Sequence, residues 1–213
     1  MRFKQLLERS YSRSDYFAID LSVDNPHWDE HDITDVEVFE AYLNLQRRVT
    51  GKYIAYGGYL EQRSLYKNSS RFNDETIRDI HLGLDLWAPT GTAVHPYMDG
   101  RVHSYSNNLG SGNYGPTIIL EHQVGVEKIY SLYGHLSLDS IYGLKVGLRF
   151  RESETLARLG STKVNGGYSP HLHFQLMTTM DGYTGDFPGV CTINEIAKYQ
   201  RIIKDPLKAI HLI

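Results

Sequence analysis

The sequence predicts a mainly β protein with helical additions at its two ends. Between about residues 77 and 176, short alternating apolar runs are interrupted by Gly, Pro, Asn and Asp, which is typical of antiparallel strands. A capped helical pattern precedes this region and a second one follows it. The chain has 213 residues, of which 41% are hydrophobic, enough for one domain with an extension.

The N-terminal region, residues 1–75, predicts one amphipathic helix. Thr34 and Glu37 have the spacing of a capping box, and Ile33 and Val38 can close a hydrophobic staple around it. The apolar positions with helical spacing that follow are Val38, Phe39, Tyr42, Leu45 and Val49. Gly51 is expected to end the helix.

The central region, residues 76–178, predicts a β domain. Its candidate strands are 81–87, 92–96, 100–106, 116–122, 127–134, 154–159 and 171–177. In the C-terminal region, residues 179–213, Thr192 and Glu195 predict a second capping box, and Asp205-Pro206 is expected to stop the helix. We expect this helical region to pack on the β domain.

Composition excludes several classes of protein. A formal net charge of −3 gives no excess of positive charge for binding nucleic acid or an anionic membrane, and neither is an expected partner. Cys191 is the only cysteine, so an intramolecular disulfide and a cysteine-based zinc knot are excluded. The N-terminus has no apolar signal region and no run has transmembrane length, so we expect a cytoplasmic location, or a cell-wall or periplasmic one if a leader has been removed.

Segment 170–176, PHLHFQL, carries the clearest chemical pattern. On a strand, successive side chains point to opposite faces, so Leu172, Phe174 and Leu176 should enter the core. His171 and His173 then project together from the other face. Two such histidines form either a chelating pair, or a metal ligand beside an acid–base group.

Segments 81–85, HLGLD, and 133–136, YGHL, add three more polar groups. Alternation along a strand places His81, Gly83 and Asp85 on one face; a helix would also align His81 with Asp85, but Gly83 and the nearby Pro89 favour the strand. A side chain in place of Gly83 would crowd a metal. If the next strand persists through its end, His135 shares a face with Tyr133.

A catalytic zinc site needs about three nitrogen or oxygen ligands and an open position for water. Two histidines and an aspartate satisfy that need, and two further histidines can transfer protons and stabilise an oxyanion. Tyr133 and Gln175 share faces with the histidines and could orient them, but an ordinary strand role is expected. His122 is expected to be structural.

These three segments closely resemble the signature of the lysostaphin and LytM-type zinc metallopeptidases, which cleave peptide cross-links of peptidoglycan. The resemblance covers roughly residues 77–177. It implies that His81, Asp85 and His173 hold a single zinc ion per chain. It also implies that His135 and His171 are the catalytic histidines, and that the core is a small, strongly bent antiparallel sheet with zinc in its groove.

The predicted function is therefore zinc-dependent hydrolysis of an amide bond, by an endopeptidase acting on peptidoglycan-type peptides. GGYLEQRS at 57–64 and NGGYSPHLHF at 165–174 resemble an intracellular branch of the family, which leaves open a hydrolase of small amides unrelated to the cell wall. A non-catalytic metal-binding or regulatory module is a further alternative. A purely structural zinc is disfavoured because such sites prefer four protein ligands, usually with cysteine.

Overall fold

The computed structural model describes residues 3–63 and 77–213, so the end of the predicted N-terminal extension, 64–75, lies outside the described residues. The strands are β1 (Tyr16–Ala18), β2 (Ile54–Gly57), β3 (Ile80–His81), β4 (Leu84–Trp87), β5 (Ala93–Val94), β6 (Gly100–Asn108), β7 (Gly115–Val124), β8 (Glu127–Gly134), β9 (Arg149–Phe150), β10 (Ala157–Arg158), β11 (His171–Met177), β12 (Val190–Cys191) and β13 (Ile203–Lys204). The α-helices are α1 (Val36–Thr50), α2 (Ile196–Ile202) and α3 (Pro206–Ala209).

Most of the strands join one sheet, which confirms the predicted mainly β class. Its order is β1-β2-β4-β11-β8-β7-β6-β9, and β13 pairs with the C-terminal end of β11, at Leu176 and Met177. The strands of the central region pair antiparallel in this sheet, as expected. At one edge, β1 and β2 of the N-terminal region add a parallel pair. These two short strands of the N-terminal region were not predicted, and β2 pairs directly with β4, which carries Asp85.

The alternation predicted for segment 171–177 is confirmed. Leu172, Phe174 and Leu176 enter the largest cluster of buried apolar side chains, together with Leu84 and Leu86 of the neighbouring β4. Every residue of β11 is buried, so the polar residues of this strand face a covered surface rather than open solvent. A strand with both faces covered is typical of the centre of a sheet.

The predicted strand 81–87 is interrupted. Leu82 and Gly83 separate β3 from β4, and β3 pairs with β12 instead of joining the main sheet. Leu82 consequently packs in a second apolar cluster, away from Leu84 and Leu86. The break at Gly83 therefore corrects the expectation that all three leucines share one face.

Helix α1 begins one residue later than its predicted cap. Asp35, rather than Thr34, is the N-cap, and its Oδ1 accepts hydrogen bonds from the amides of Glu37 and Val38. Gly51 ends the helix in the left-handed conformation, as predicted. The buried face is formed by Phe39 and Leu43, whereas the expected members Leu45 and Val49 are 54% and 73% exposed.

The C-terminal region follows its prediction in part. The Thr192–Glu195 capping box is present and leads into α2. Asp205-Pro206 does not stop α2, which already ends at Ile202; Asp205 instead caps α3. Among the described residues, no helix is both long and apolar enough to cross a bilayer.

Candidate active site

Three side chains from three neighbouring strands converge on one point. His173 on β11 lies opposite Asp85 on β4 in the sheet register, and β3 brings His81 alongside. Nε2 of His81 lies 3.1 Å from Nδ1 of His173 and 3.2 Å from Oδ2 of Asp85. Nδ1 of His173 lies 3.0 Å from Oδ1 of Asp85. The structure thus brings together the three residues that the sequence singled out as ligands.

This donor set fits a zinc ion. Ligand atoms about 2.0–2.1 Å from a tetrahedral ion lie about 3.4 Å apart, close to the separations found here. The three ligand atoms all lie within 4.8 Å of one another, and the three residues are no more than 3% exposed. Two imidazoles and one carboxylate also match the donors that catalytic zinc prefers.

Gly83 leaves the space that the His173 ring occupies. A Cβ at this position would lie 2.5 Å from Cε1 and 2.6 Å from Nε2 of His173, and 2.9 Å from the backbone oxygen of Phe174. A glycine is therefore required for the ring to approach β3 so closely. The crowding falls on a ligand ring, which refines the expectation that it would fall on the metal.

The charge of Asp85 is strongly favoured despite its burial. Burial alone would raise the pKa of this carboxyl group. The neighbouring His81 and Arg63, together with a hydrogen bond from His173, outweigh burial and hold the pKa well below its usual range. Asp85 is therefore ionised at neutral pH, as a carboxylate that binds a metal cation must be.

His135 and His171 lie beside this cluster with their rings stacked obliquely. Their ring centroids are 4.1 Å apart, and the centroids of His135 and His173 are 6.2 Å apart. Nδ1 of His135 lies 2.8 Å from the carbonyl oxygen of Asn165, and Nδ1 of His171 lies 2.7 Å from that of Ser169. Because a carbonyl only accepts, each Nδ1 carries the proton and each Nε2 keeps its lone pair.

Burial keeps these histidines neutral. Desolvation lowers the pKa of His171 and His173. Desolvation, followed by the proximity of His171 and His173, lowers the pKa of His135 well below its ordinary value. Neutral imidazoles can act as bases at neutral pH, so both side chains are suited to accept a proton.

The backbone conformation that positions His135 differs from the predicted strand. Strand β8 ends at Gly134, and His135 follows it in the left-handed region, at φ 61°. Tyr133 is fully buried in the main core and does not share the site, because the alternation stops at the strand end. Gln175 is also buried; its Nε2 donates to the backbone oxygens of Leu82 and Pro188.

Sequence reasoning missed several residues that contact the site. The hydroxyl of Tyr114 lies 3.3 Å from Nε2 of His173, and the ring of Trp87 stacks on His171 at 5.5 Å. Arg63 pairs with Asp85 at 2.6 Å. Trp87 continues the HLGLDLW run and its strand position could have suggested it, but no local pattern identifies Tyr114 or Arg63.

The site opens into a cleft of about 590 Å³, within the range of small-molecule and peptide sites. One wall comes from the N-terminal region and is mostly apolar, with Ile33, Val36 and Phe39. Glu40 of α1 accepts a hydrogen bond from Ser169, which joins this wall to the loop before β11. Phe187, Pro188 and Val190 also line the cleft. His122 bonds to Asp99 and Ser131 instead, consistent with a structural role.

Known proteins resemble the part of the chain that carries this site. Residues 79–184 match the model of Peptidase family M23. The chain is 28% identical over 142 residues to the peptidoglycan DD-endopeptidase ShyC of Vibrio cholerae, covering 60% of this chain and 30% of ShyC. It is 39% identical over 101 residues to the glycyl-glycine endopeptidase ALE-1 of Staphylococcus capitis, covering 46% of this chain and 25% of ALE-1. The chain thus spans less than a third of the length of these curated relatives.

Among solved structures, the catalytic domain of lysostaphin from Staphylococcus simulans aligns with a TM-score of 0.44 and 26% identity, covering 62% of this chain and 80% of that one. The matched residues 79–184 include all five residues singled out from the sequence, His81, Asp85, His135, His171 and His173. The protein therefore contains a peptidase domain of family M23, over residues 79–184.

Proposed function

We propose that the protein is a zinc-dependent endopeptidase that hydrolyses peptide bonds in peptidoglycan-type peptides. The observation that carries this proposal is the meeting of His81, Asp85 and His173 beside a cleft. Asp85 and His173 line this cleft together with His135 and His171. The names of ShyC and ALE-1, both endopeptidases, support the reaction class. The substrate is inferred from them and from the resemblance of the three segments.

His81, Asp85 and His173 would hold the metal through Nε2, a carboxylate oxygen and Nδ1, the atoms that face one another. When bound, zinc polarises a carbonyl group and lowers the pKa of a water molecule to about 7. The chain contributes the fixed orientation of the three donors and a site largely shielded from bulk water, in which electrostatic interactions are strengthened.

The two other histidines would transfer the protons. As water attacks the scissile carbonyl, Nε2 of His135 or His171 accepts its proton, because Nδ1 of each ring is already committed to a backbone oxygen. The protonated ring then stabilises the oxyanion that develops on the carbonyl oxygen. Its proton passes finally to the nitrogen of the leaving amine. No glutamate of the H-E-x-x-H type is present to do this work.

Hydrolysis of purified cross-linked muropeptides tests this proposal, with His135→Ala and His122→Gln as matched variants. His122 is a buried histidine outside the cleft lining, so its replacement controls for the loss of an imidazole. The proposal expects cleavage by wild type and by His122→Gln, and a rate lower by about 10²- to 10⁴-fold for His135→Ala.

Two other outcomes would favour the alternatives. Cleavage of small amides but not of muropeptides by the zinc-loaded protein would favour the small-amide hydrolase and would refute the substrate. Zinc binding without hydrolysis of any member of the panel would favour the non-catalytic module. His135→Ala with the wild-type rate would refute the role given to His135.

A further inference from the structure

Residues 57–63, GGYLEQR, lie against the candidate metal site although they precede the family match. Nδ1 of His81 donates to the backbone oxygen of Gly58, at 2.9 Å. Two backbone hydrogen bonds join this segment to β3. The amide of Leu60 donates to the backbone oxygen of His81 at 2.8 Å, and the amide of His81 donates to the backbone oxygen of Glu61 at 2.9 Å. The segment thereby orients the His81 ring with Nε2 towards Asp85 and His173.

Arg63 in this segment reaches the carboxylate of Asp85 directly. Its side chain is fully buried, and Nη1 donates to Oδ2 of Asp85 at 2.6 Å. Nε donates to Oε2 of Glu61, also at 2.6 Å. Glu61 is itself fixed, because its Oε1 accepts a hydrogen bond from the amide of Leu21 at 3.0 Å. The guanidinium is therefore held between two carboxylates in one orientation.

We propose that Arg63 is a positioning residue of the metal site, which occupies Oδ2 of Asp85 and so directs Oδ1 towards the metal. This inference rests on the proposed function, because it requires that the site bind a metal. A carboxylate offers two oxygens. A charge-assisted hydrogen bond to one of them fixes the plane of the carboxylate group and therefore the direction of the other oxygen. Oδ1 lies 3.0 Å from Nδ1 of His173 and 3.8 Å from Nε2 of His171, whereas the hydrogen bond from Arg63 goes to Oδ2. Oδ2 lies 3.2 Å from Nε2 of His81, farther than its 2.6 Å contact with Arg63.

The shape of the arginine side chain matters as well as its charge. A guanidinium is a planar fork that can bond Glu61 through Nε and Asp85 through Nη1 at the same time. The single ammonium of a lysine carries the same charge but cannot reproduce that planar pair of contacts. Arg63→Lys therefore keeps the positive charge beside Asp85 but removes the planar contacts that position its carboxylate.

Metal affinity and metal geometry test the proposal together. The dissociation constant for Zn²⁺ would be measured by competition with a chelator, and the coordination geometry from the visible spectrum of the Co²⁺-loaded protein. Arg63→Lys is expected to weaken Zn²⁺ binding by about 10- to 100-fold and to change the Co²⁺ spectrum. Arg101→Lys, in an exposed pair with Glu121 at 2.6 Å, is expected to change neither.

The outcomes separate this inference from the proposed function. Wild-type affinity and an unchanged Co²⁺ spectrum in Arg63→Lys would overturn the inference and leave the proposed function standing. Weaker binding with an unchanged spectrum would overturn the positioning role as well, since only the charge environment would have altered. A wild type that binds no metal would refute the proposed function itself.

A second variant covers the case in which Arg63→Lys does not fold, judged by thermal unfolding of the chelator-treated protein. Glu61→Gln weakens the other anchor of the guanidinium without touching a ligand. It is expected to change the Co²⁺ spectrum in the same sense as Arg63→Lys, with a smaller loss of affinity. An unchanged spectrum and affinity in Glu61→Gln would overturn the inference.

Discussion

Replacing Gly83 by alanine should damage the metal site through a single methyl group. The added Cβ would lie 2.5 Å from Cε1 of His173, whereas carbon atoms in contact are about 3.5–4.0 Å apart. The ring must therefore move by about 1 Å, twice the displacement of about 0.5 Å that a functional site tolerates. The Phe174 backbone oxygen, at 2.9 Å from the same Cβ, cannot move as easily as a side chain.

Two magnitudes follow for Gly83→Ala. Displacing one ligand ring should weaken zinc binding by about 10- to 100-fold, or about 1.4–2.7 kcal/mol. Overpacking should also lower the free energy of unfolding of the metal-free protein by about 1–3 kcal/mol. The backbone at Gly83 is not in the left-handed region, so backbone strain does not contribute.

Gly58→Ala is the matched control for this experiment. A Cβ at Gly58 would meet its nearest neighbour, Cβ of Glu61, at an ordinary 3.6 Å. Chelator competition would measure zinc affinity, and urea unfolding would measure stability. Gly83→Ala with the affinity and stability of wild type would show that the ring has room to retreat, and would refute the reasoning.

Three further predictions concern other parts of the molecule. His135→Ala should keep its zinc, measured by elemental analysis, because His135 is not among the three clustered donors; loss of the metal would contradict its assignment as a proton-transfer residue. Asp35→Ala should lower the free energy of urea unfolding by about 1 kcal/mol, since two amides of α1 lose their acceptor; an unchanged value would contradict the cap. The metal-free protein should lose stability as the pH falls below 6.5, because burial lowers the folded-state pKa of His122 and His95, so that the unfolded chain binds more protons. His122→Gln should reduce that dependence, and an identical pH profile by thermal unfolding would exclude His122 as a source.

The strand that carries two of the site histidines could be predicted because its pattern is local. Leu172, Phe174 and Leu176 alternate with His171 and His173, and period-two alternation fixes which side chains face the core whatever the rest of the sheet does. The three ligands could be grouped for the same reason, since each stands in a short segment with a recognisable motif. Their family resemblance, rather than spacing, separated ligands from catalytic residues.

The features that sequence reasoning missed depend on distant contacts. Arg63 and Asp85 are 22 residues apart, and nothing around Arg63 in the sequence indicates that its side chain is buried. His135 was expected on a strand face, but the chain turns at φ 61° directly after Gly134. Helix α1 buries Phe39 and Leu43 because the sheet edge and Trp87 pack against that face. The apolar spacing along the helix also allowed a face with Leu45 and Val49, and only the tertiary contacts decide between the two faces.

The zinc content of the purified protein tests the central claim most directly. Elemental analysis of wild type and of His173→Ala, after zinc reconstitution and removal of excess metal, would be compared with thermal unfolding of each protein. We predict about one zinc per chain in wild type and loss of that zinc in a folded His173→Ala variant, because His173 supplies one of the three converging donors. A wild type that retains no divalent metal, or a variant that retains all of it, would contradict the account.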